Sequence, residues 1–244
     1  MISTDLLIET INNSSDATRE ADDSICGYFY QINLTLYRIL ALSSKKSFFI
    51  EKIEDILEIE VQEKRIDISA IQIKYHKNCV TNSSTYKALL FGFLSYLSIK
   101  ETILNKNKEV NYSLEVLFGT PQSVNVNKTE ALDSILKYKP FNKNYKQFNA
   151  NWIKSNPIYD EDTIQNFLKI TEIKKEIDSD ELTGKINEEI IRLQEELGPN
   201  DNLYSSIVIH SVMWSIIKDL IFSHAKNKII TKKILISKTI FIWN

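Results

Sequence analysis

Glycine is scarce in this sequence, and its scarcity narrows the choice of function. Only 5 of the 244 residues are glycine, whereas about 7% is usual in average proteins. Neither G-x-x-x-x-G-K-[ST] nor G-x-G-x-x-G occurs, which argues against P-loop NTPases and Rossmann dehydrogenases. The motif G-x-S-x-G is also missing, so a serine-hydrolase triad is unsupported.

Cysteine and histidine are scarce as well. Cys26 and Cys79 are too few for a disulfide framework, so we expect a reducing, cytoplasmic setting. The three histidines and two cysteines are mostly far apart, which argues against a structural zinc site.

Signals for export and membrane insertion are lacking too. The first 23 residues have no basic region followed by an apolar run, as a signal peptide would. The most apolar stretch, residues 203–222, contains His210, Lys218 and Asp219, and charges near the centre of a bilayer span are costly. We expect a buried amphipathic helix there and no membrane association. A content of 43% hydrophobic residues is enough for a folded core.

Charge is segregated along the chain, although the net charge is only −2. Basic residues dominate 64–108, 134–154 and 223–244, whereas acidic residues dominate 158–201. A neutral protein can therefore present a basic face, which nucleic-acid binding requires. For any single lysine, a solvated surface position is the simpler interpretation.

Hydrophobic periodicity predicts alternating helices and strands, followed by helices. The predicted elements are a helix at 27–42, an extended strand at 47–61 bent near Glu54–Asp55, a strand at 66–75, a helix from about 81–84 to 104, a strand at 111–118 and a helix at 129–138. After residue 139 no good strand is predicted until the last few residues. Amphipathic helices are predicted at 186–197 and 203–222.

This order predicts an α/β fold, with a mixed sheet flanked by helices and a C-terminal all-helical lobe. We place a domain boundary near residues 148–157. It divides the chain into a core domain at 1–150 and a helical assembly or partner-binding lobe at 151–244.

The side chains suited to chemistry lie on the first two strands. Gln72 and Lys74 share a face because side chains alternate along a strand. If the strands form a hairpin around residues 62–65, Asp55 approaches the same face. A carboxylate, an amide carbonyl and an ammonium group would then converge, which suits phosphodiester hydrolysis with Mg²⁺. An ordinary amphipathic hairpin with solvated charges is the alternative.

Three short motifs in this order resemble a known nuclease domain. They are G-Y-F-Y-Q at 27–31, E-K-I-E-D-I at 51–56 and I-Q-I-K-Y-H at 71–76. The chain resembles the PD-(D/E)xK double-stranded DNA endonucleases associated with CD-NTase antiphage systems, and it is similar to the nuclease subunit of Lamassu defence systems. The resemblance covers about residues 27–120. It implies a restriction-endonuclease-like core and a Mg²⁺-dependent endodeoxyribonuclease, with Mn²⁺ as an alternative metal.

The resemblance also implies roles for individual residues. Asp55 would bind the metal, and Lys74 would be the catalytic lysine. Gln72 stands where other members have Asp or Glu, a departure typical of the Mrr-like branch, so the metal should rely on a second acid. Glu51 and Glu54 are the candidates, and strand alternation favours Glu51 whereas the E-D pair favours Glu54. A surface charge is the other interpretation of Glu54.

Supporting and DNA-binding residues are assigned more simply. Gln31 on the first helix would support the metal site. His76, Lys77 and Lys87 are candidate contacts to DNA phosphates, with solvated positions as the alternative.

The resemblance implies control by assembly or by a partner. We expect a homo-oligomer when active, because a double-strand break needs two sites on opposite strands. An SMC-like ATPase or another sensor subunit would be a separate protein. The alternative function is a non-catalytic DNA-binding or scaffold subunit that retains the nuclease fold.

Overall fold

A computed structural model describes residues 25–42, 45–50, 54–63, 65–75, 82–100, 110–119, 161–197, 205–223 and 228–241. The elements in these ranges are α1 (Ile25–Ala41), β1 (Lys46–Ile50), β2 (Ile56–Val61), β3 (Ile66–Tyr75), α2 (Asn82–Ile99), β4 (Val110–Gly119), α3 (Glu161–Lys169), β5 (Thr171–Glu176), α4 (Ser179–Leu197), α5 (Ser206–Phe222), β6 (Ile229–Thr231) and α6 (Lys232–Phe241). None of the helices described is long and apolar enough to cross a membrane.

The six described strands form one mixed sheet in the order β5-β4-β3-β2-β1-β6. β2 pairs antiparallel with both β1 and β3, and β1 also pairs antiparallel with β6. β3, β4 and β5 are mutually parallel, so their carboxyl ends meet at the same edge of the sheet.

Each face of the sheet carries its own hydrophobic core. On one face Leu57, Leu114 and Phe118 pack with buried residues of α2 and α3, such as Phe93 and Phe167. We call this the α2 face. The other face, the α1 face, packs Ile56, Ile71 and Leu117 against α1, α4 and α5. Alternation along each strand therefore sends neighbouring residues into different cores.

The predicted α/β class, with a mixed sheet flanked by helices and a helical part, is confirmed. The C-terminal lobe was expected to be all-helical, which is wrong, because residues 151–244 also contain β5 and β6. β3 has the predicted bounds 66–75, and α1 and β4 differ from theirs by one or two residues. The predicted hairpin is present, since β2 and β3 pair antiparallel and the Gln62 amide donates to the Arg65 carbonyl across 2.8 Å. The helix predicted at 129–138 lies outside the described residues.

Two predictions about strands are wrong. The single strand predicted at 47–61 is two strands, because the chain reverses and Ile50 pairs with Ile56. The region after residue 139 contains β5, which was missed because T-E-I-K-K-E has only one strongly apolar side chain. β5 lies at the edge of the sheet, where a strand needs less apolar surface. The proposed boundary at 150/151 stays a prediction, and the sheet draws strands from both sides of it.

Candidate functional site

The candidate site lies where β2 begins and β3 ends. Asp55 directly precedes β2, and its Oδ2 accepts a hydrogen bond of 2.6 Å from the Ile73 amide. The last paired residues of the two strands are Ile56 and Ile71, so the carboxylate continues the ladder beyond the last backbone pair. This bond fixes Asp55 beside the segment of β3 that carries Gln72 and Lys74.

Gln72 and Lys74 lie on the α2 face, on either side of Ile73. Gln72 is 4% exposed, and its Oε1 has no hydrogen-bond partner within the described part of the chain. An unpartnered buried carbonyl oxygen costs roughly 1–3 kcal/mol, so Gln72 Oε1 is available as an oxygen ligand. Lys74 is half-buried and takes part in interactions within the protein.

Glu54 and Gln31 are both buried, at 2% and 5% exposure. Each also makes interactions within the protein, so neither is a solvated surface side chain. The alternative interpretation of Glu54 as a surface charge is therefore wrong. The preference for Glu51 assumed one continuous strand and loses its basis, because the chain reverses between Ile50 and Ile56. Glu51 itself lies outside the described residues.

The proposed DNA contacts fall largely outside the described residues. His76 and Lys77 follow the end of β3 and are not among them. Lys87 lies on α2, but its side chain is not described. These three assignments therefore stay predictions.

Two residues near the site were missed by sequence reasoning. Lys175 on β5 lies in register with Phe118 and Lys74, so it belongs to the α2 face at the same level of the sheet. Adjacent strands lie about 4.8 Å apart, which places the two lysine backbones roughly 10 Å from each other. Only the unpredicted strand β5 reveals this relation.

Tyr30 is the second missed residue. It belongs to the G-Y-F-Y-Q motif, but its neighbours are distant in sequence. It is 1% exposed, and its hydroxyl donates to the Ile177 carbonyl across 2.7 Å. Its ring centroid lies 5.1 Å from that of Tyr75, the last residue of β3.

The α1 face carries a separate ionic network. Glu58 on β2 is 1% exposed and pairs with Arg38 of α1 and with Lys46 of β1. Arg38 also pairs with Glu115 of β4 at 3.2 Å, and Lys174 of β5 approaches Glu115 at 3.5 Å. The hydrogen bond that Lys174 donates to Glu172 is the main reason that the pKa of this lysine is raised. These charges neutralise one another, which suits a structural role.

The oxygen donors at the candidate site suit a magnesium ion. The described ranges contain no group of three or more His, Cys, Asp or Glu side chains that could bind a metal. Mg²⁺, however, keeps several waters and needs only one or two protein carboxylates besides substrate phosphate. The Asp55 carboxylate and the unpartnered Gln72 carbonyl oxygen are hard donors, so the residues present fit this ion.

Solved structures share this fold. One is the Acinetobacter baumannii Cap4 SAVED/CARF-domain containing receptor with the cyclic trinucleotide 2'3'3'-cAAA, with TM-score 0.50, 13% identity and coverage of 91% of this chain and 47% of that chain. The same receptor with 3'3'3'-cAAA matches with TM-score 0.50 and 15% identity over 89% of this chain and 44% of that one. The chain thus spans about half the length of these receptors. No protein family and no curated protein matches the sequence.

Proposed function

We propose that the chain is a metal-dependent endonuclease of double-stranded DNA that acts in antiphage defence. One observation carries the proposal. The Asp55 carboxylate is bonded to the Ile73 amide, between Gln72 and Lys74, and the buried Gln72 Oε1 has no protein partner in the described part. This is the donor arrangement that the motif resemblance implies.

The chemistry follows from the donor types. When bound, Mg²⁺, with Mn²⁺ as an alternative, would lower the pKa of a coordinated water and neutralise charge on the scissile phosphate. Asp55 and Gln72 would hold the ion through their oxygens. Lys74 would orient the attacking water and stabilise the negative charge that develops on the phosphate. Glu54 and Gln31, both buried, would support these groups from the turn before β2 and from α1.

The defence role is supported by two likenesses. The motifs resemble nuclease domains of CD-NTase-associated antiphage effectors, and the fold matches a cyclic-trinucleotide receptor named Cap4. Because the chain spans about half of that receptor, we propose that the signal is sensed by another domain or subunit, with an SMC-like ATPase as one candidate. Activation would then occur through assembly in the cytoplasm.

A second candidate function is the binding of a cyclic trinucleotide by this chain itself. The solved neighbours contain such ligands, which is the observation that favours it. Calorimetric titration with 2'3'3'-cAAA and 3'3'3'-cAAA tests this candidate directly. Saturable binding without any DNA cleavage would favour the receptor over the nuclease.

Cleavage of plasmid DNA with and without Mg²⁺ tests the nuclease. We expect Asp55→Asn and Lys74→Ala each to lower the rate by about 100-fold or more, the usual effect of losing a group that stabilises the transition state. Asn at position 55 keeps an oxygen that can accept the Ile73 amide, so the fold should persist, as thermal unfolding would verify.

The matched control is Lys238→Ala, which removes an exposed lysine on α6. It should cleave at the wild-type rate. Undiminished cleavage by Asp55→Asn or Lys74→Ala, in preparations free of contaminating nuclease, would refute the assignment.

A further inference from the structure

Tyr30 spans the ends of the three parallel strands. Its ring packs on Tyr75 at the end of β3, and its hydroxyl binds the Ile177 carbonyl just beyond β5. Between these two contacts the ring crosses Gly119, the last residue of β4. We propose that Tyr30 is a positioning residue. It fixes how closely α1 packs on the strand ends and thereby the positions of Gln31 and Lys74. This inference rests on the proposed nuclease function.

Gly119 shows how closely the ring lies on the sheet. A Cβ atom at this position would lie 2.2 Å from Tyr30 Cζ and 2.6 Å from each Cε. Real Cβ atoms do not approach other heavy atoms so closely, so a side chain here would displace the ring or the strand. The ring occupies the space that any larger residue at 119 would fill. Glycine is therefore required at this position by the close approach of the Tyr30 ring.

The contact between Tyr30 and Tyr75 is linked to the candidate site because each of these residues is a sequence neighbour of a proposed site residue. Tyr75 directly follows Lys74 on β3, and Gln31 directly follows Tyr30 on α1. Displacing the ring would therefore shift the backbone that carries the catalytic lysine and the supporting glutamine. A misplacement of about 1 Å by a remote change can cost roughly 100-fold in rate. DNA binding should change less than the rate, because binding draws on many phosphate contacts whereas the chemical step depends on the placement of Lys74.

The test is a set of variants assayed for kcat and KM on a short DNA duplex with Mg²⁺. Gly119→Ala and Tyr30→Leu should each lower kcat by about 10-fold or more, with KM within about 3-fold of wild type. The double variant should be no worse than the poorer single variant, because both changes act through one contact. Tyr30→Phe keeps the ring but loses the hydrogen bond to Ile177, so its kcat should lie between those of wild type and Tyr30→Leu.

Gly92→Ala is the matched control for general destabilisation. A Cβ at Gly92 would lie 2.3 Å from Leu114 Cδ2, a similar crowding in the core of the α2 face. It should lower the melting temperature, yet at a temperature where it remains folded it should keep kcat within about 3-fold of wild type. DNA affinity without metal should be the same for all variants.

The outcomes distinguish the positioning role from the nuclease function. If wild-type protein cleaves DNA but folded Gly119→Ala or Tyr30→Leu cleaves with unchanged kcat, the positioning role is overturned and the nuclease stands. The positioning role is also overturned if kcat falls equally in Gly92→Ala, since the loss would then follow stability alone. If purified wild-type protein, alone and with its partners, never cleaves DNA, the proposed function and this inference both fail.

Discussion

At the scale of a single residue, the proposed role of the buried Gln72 amide would come at the expense of stability. Its side-chain oxygen is enclosed without a protein partner among the described residues. A fold optimised only for stability would place an apolar side chain there, because burying an unpaired polar atom is unfavourable. A bound ion with its water shell would supply the missing partner. The residue is therefore expected to cost stability in the metal-free protein.

The substitution Gln72→Leu tests this expectation. It removes the unpartnered oxygen and adds apolar contact, so the free energy of unfolding should rise by about 1 kcal/mol or stay unchanged. DNA cleavage should fall by about 100-fold or more. Urea denaturation and a plasmid assay measure the two effects. A clear loss of stability together with retained cleavage would contradict the role given to Gln72.

His210 on α5 supplies a prediction about pH. Burial lowers the pKa of this histidine below its ordinary value of 6.5, and its Nε2 lacks a hydrogen-bond partner in the described part. The unfolded chain therefore binds the proton more readily than the folded protein. The contribution of His210 to stability should be fully present above pH 6.5, the pKa of this histidine in the unfolded chain. It should be lost as the pH falls below 6.5 and through the lower pKa of the folded protein.

Urea denaturation of wild type and His210→Gln at pH 7.5 and 5.5 checks this sign. Acidic groups contribute equally to both proteins, so the difference between them isolates the histidine. The wild type should lose more stability between the two pH values than the variant does. Equal losses would show that His210 does not carry the effect.

At the scale of elements, periodicity predicts the buried helices and strands and fails where turns and edges decide. β3 was predicted to the residue because Ile66, Ile68 and Ala70 alternate with the polar side chains of Asp67 and Ser69. The reversal between β1 and β2 was missed, because residues 51–55 contain neither glycine nor proline to mark a turn. β5 was missed because its polar side chains suit the edge of a sheet.

The candidate site shows the same division. Asp55, Gln72 and Lys74 were proposed as site residues from local spacing and motif resemblance, and their roles stay predictions. Tyr30 and Lys175 could not be found that way. Tyr30 binds Ile177, far along the chain, and Lys175 comes near the site only through the pairing of β5 with β4. Nothing in the local sequence around either residue encodes those contacts.

The ionic network on the α1 face joins four elements, namely α1, β1, β2 and β4. Glu58 lies under α1 with Arg38 and Lys46, and Arg38 reaches across to Glu115 on β4. Removing one member of a buried pair leaves an uncompensated charge. Arg38→Met should therefore lower the free energy of unfolding by about 3 kcal/mol or more.

Arg192→Met is the appropriate comparison. Arg192 on α4 pairs with Glu189 at 2.9 Å, but its side chain is 64% exposed. Its removal should cost about 0.5 kcal/mol or less, because exposed ion pairs contribute little. Similar losses in the two variants, measured by urea denaturation, would show that the network contributes no more than a surface pair.

At the scale of the whole molecule, α5 leaves apolar surface uncovered. Four of its residues form the buried stripe, namely Ile209, Met213, Ile217 and Ile221. Ile207 is 69% exposed and Phe222 is 55% exposed. The exposure of Ile207 and Phe222 agrees only partly with the sequence expectation of a buried amphipathic helix. Exposed apolar surface of this kind is common where proteins associate.

We expect association through α5 to convert nicking into linearisation of plasmid DNA. Ile207→Glu places a charge on the exposed apolar surface, in the first helical turn, where an acid favours the helix. The variant should remain folded, and light scattering should show weaker self-association than in the wild type. It should linearise plasmid about 10-fold more slowly than it nicks. Ser237→Glu, at an exposed position on α6, should change neither. A strict monomer that linearises plasmid at full rate would contradict this expectation.

The pairing of β1 with β6 has a consequence for how the protein is made. Phe48 pairs with Ile230, so the sheet joins segments separated by most of the chain. Such high contact order slows folding, because a long loop must close before the contacts form. Tyr30 likewise finds its acceptor only at Ile177. On the ribosome, the hydrogen bond of Tyr30 therefore forms only after residue 177 has emerged. The sheet is completed only after residue 231 has emerged. A nascent chain would thus carry Asp55, Gln72 and Lys74 well before the candidate site around them is folded.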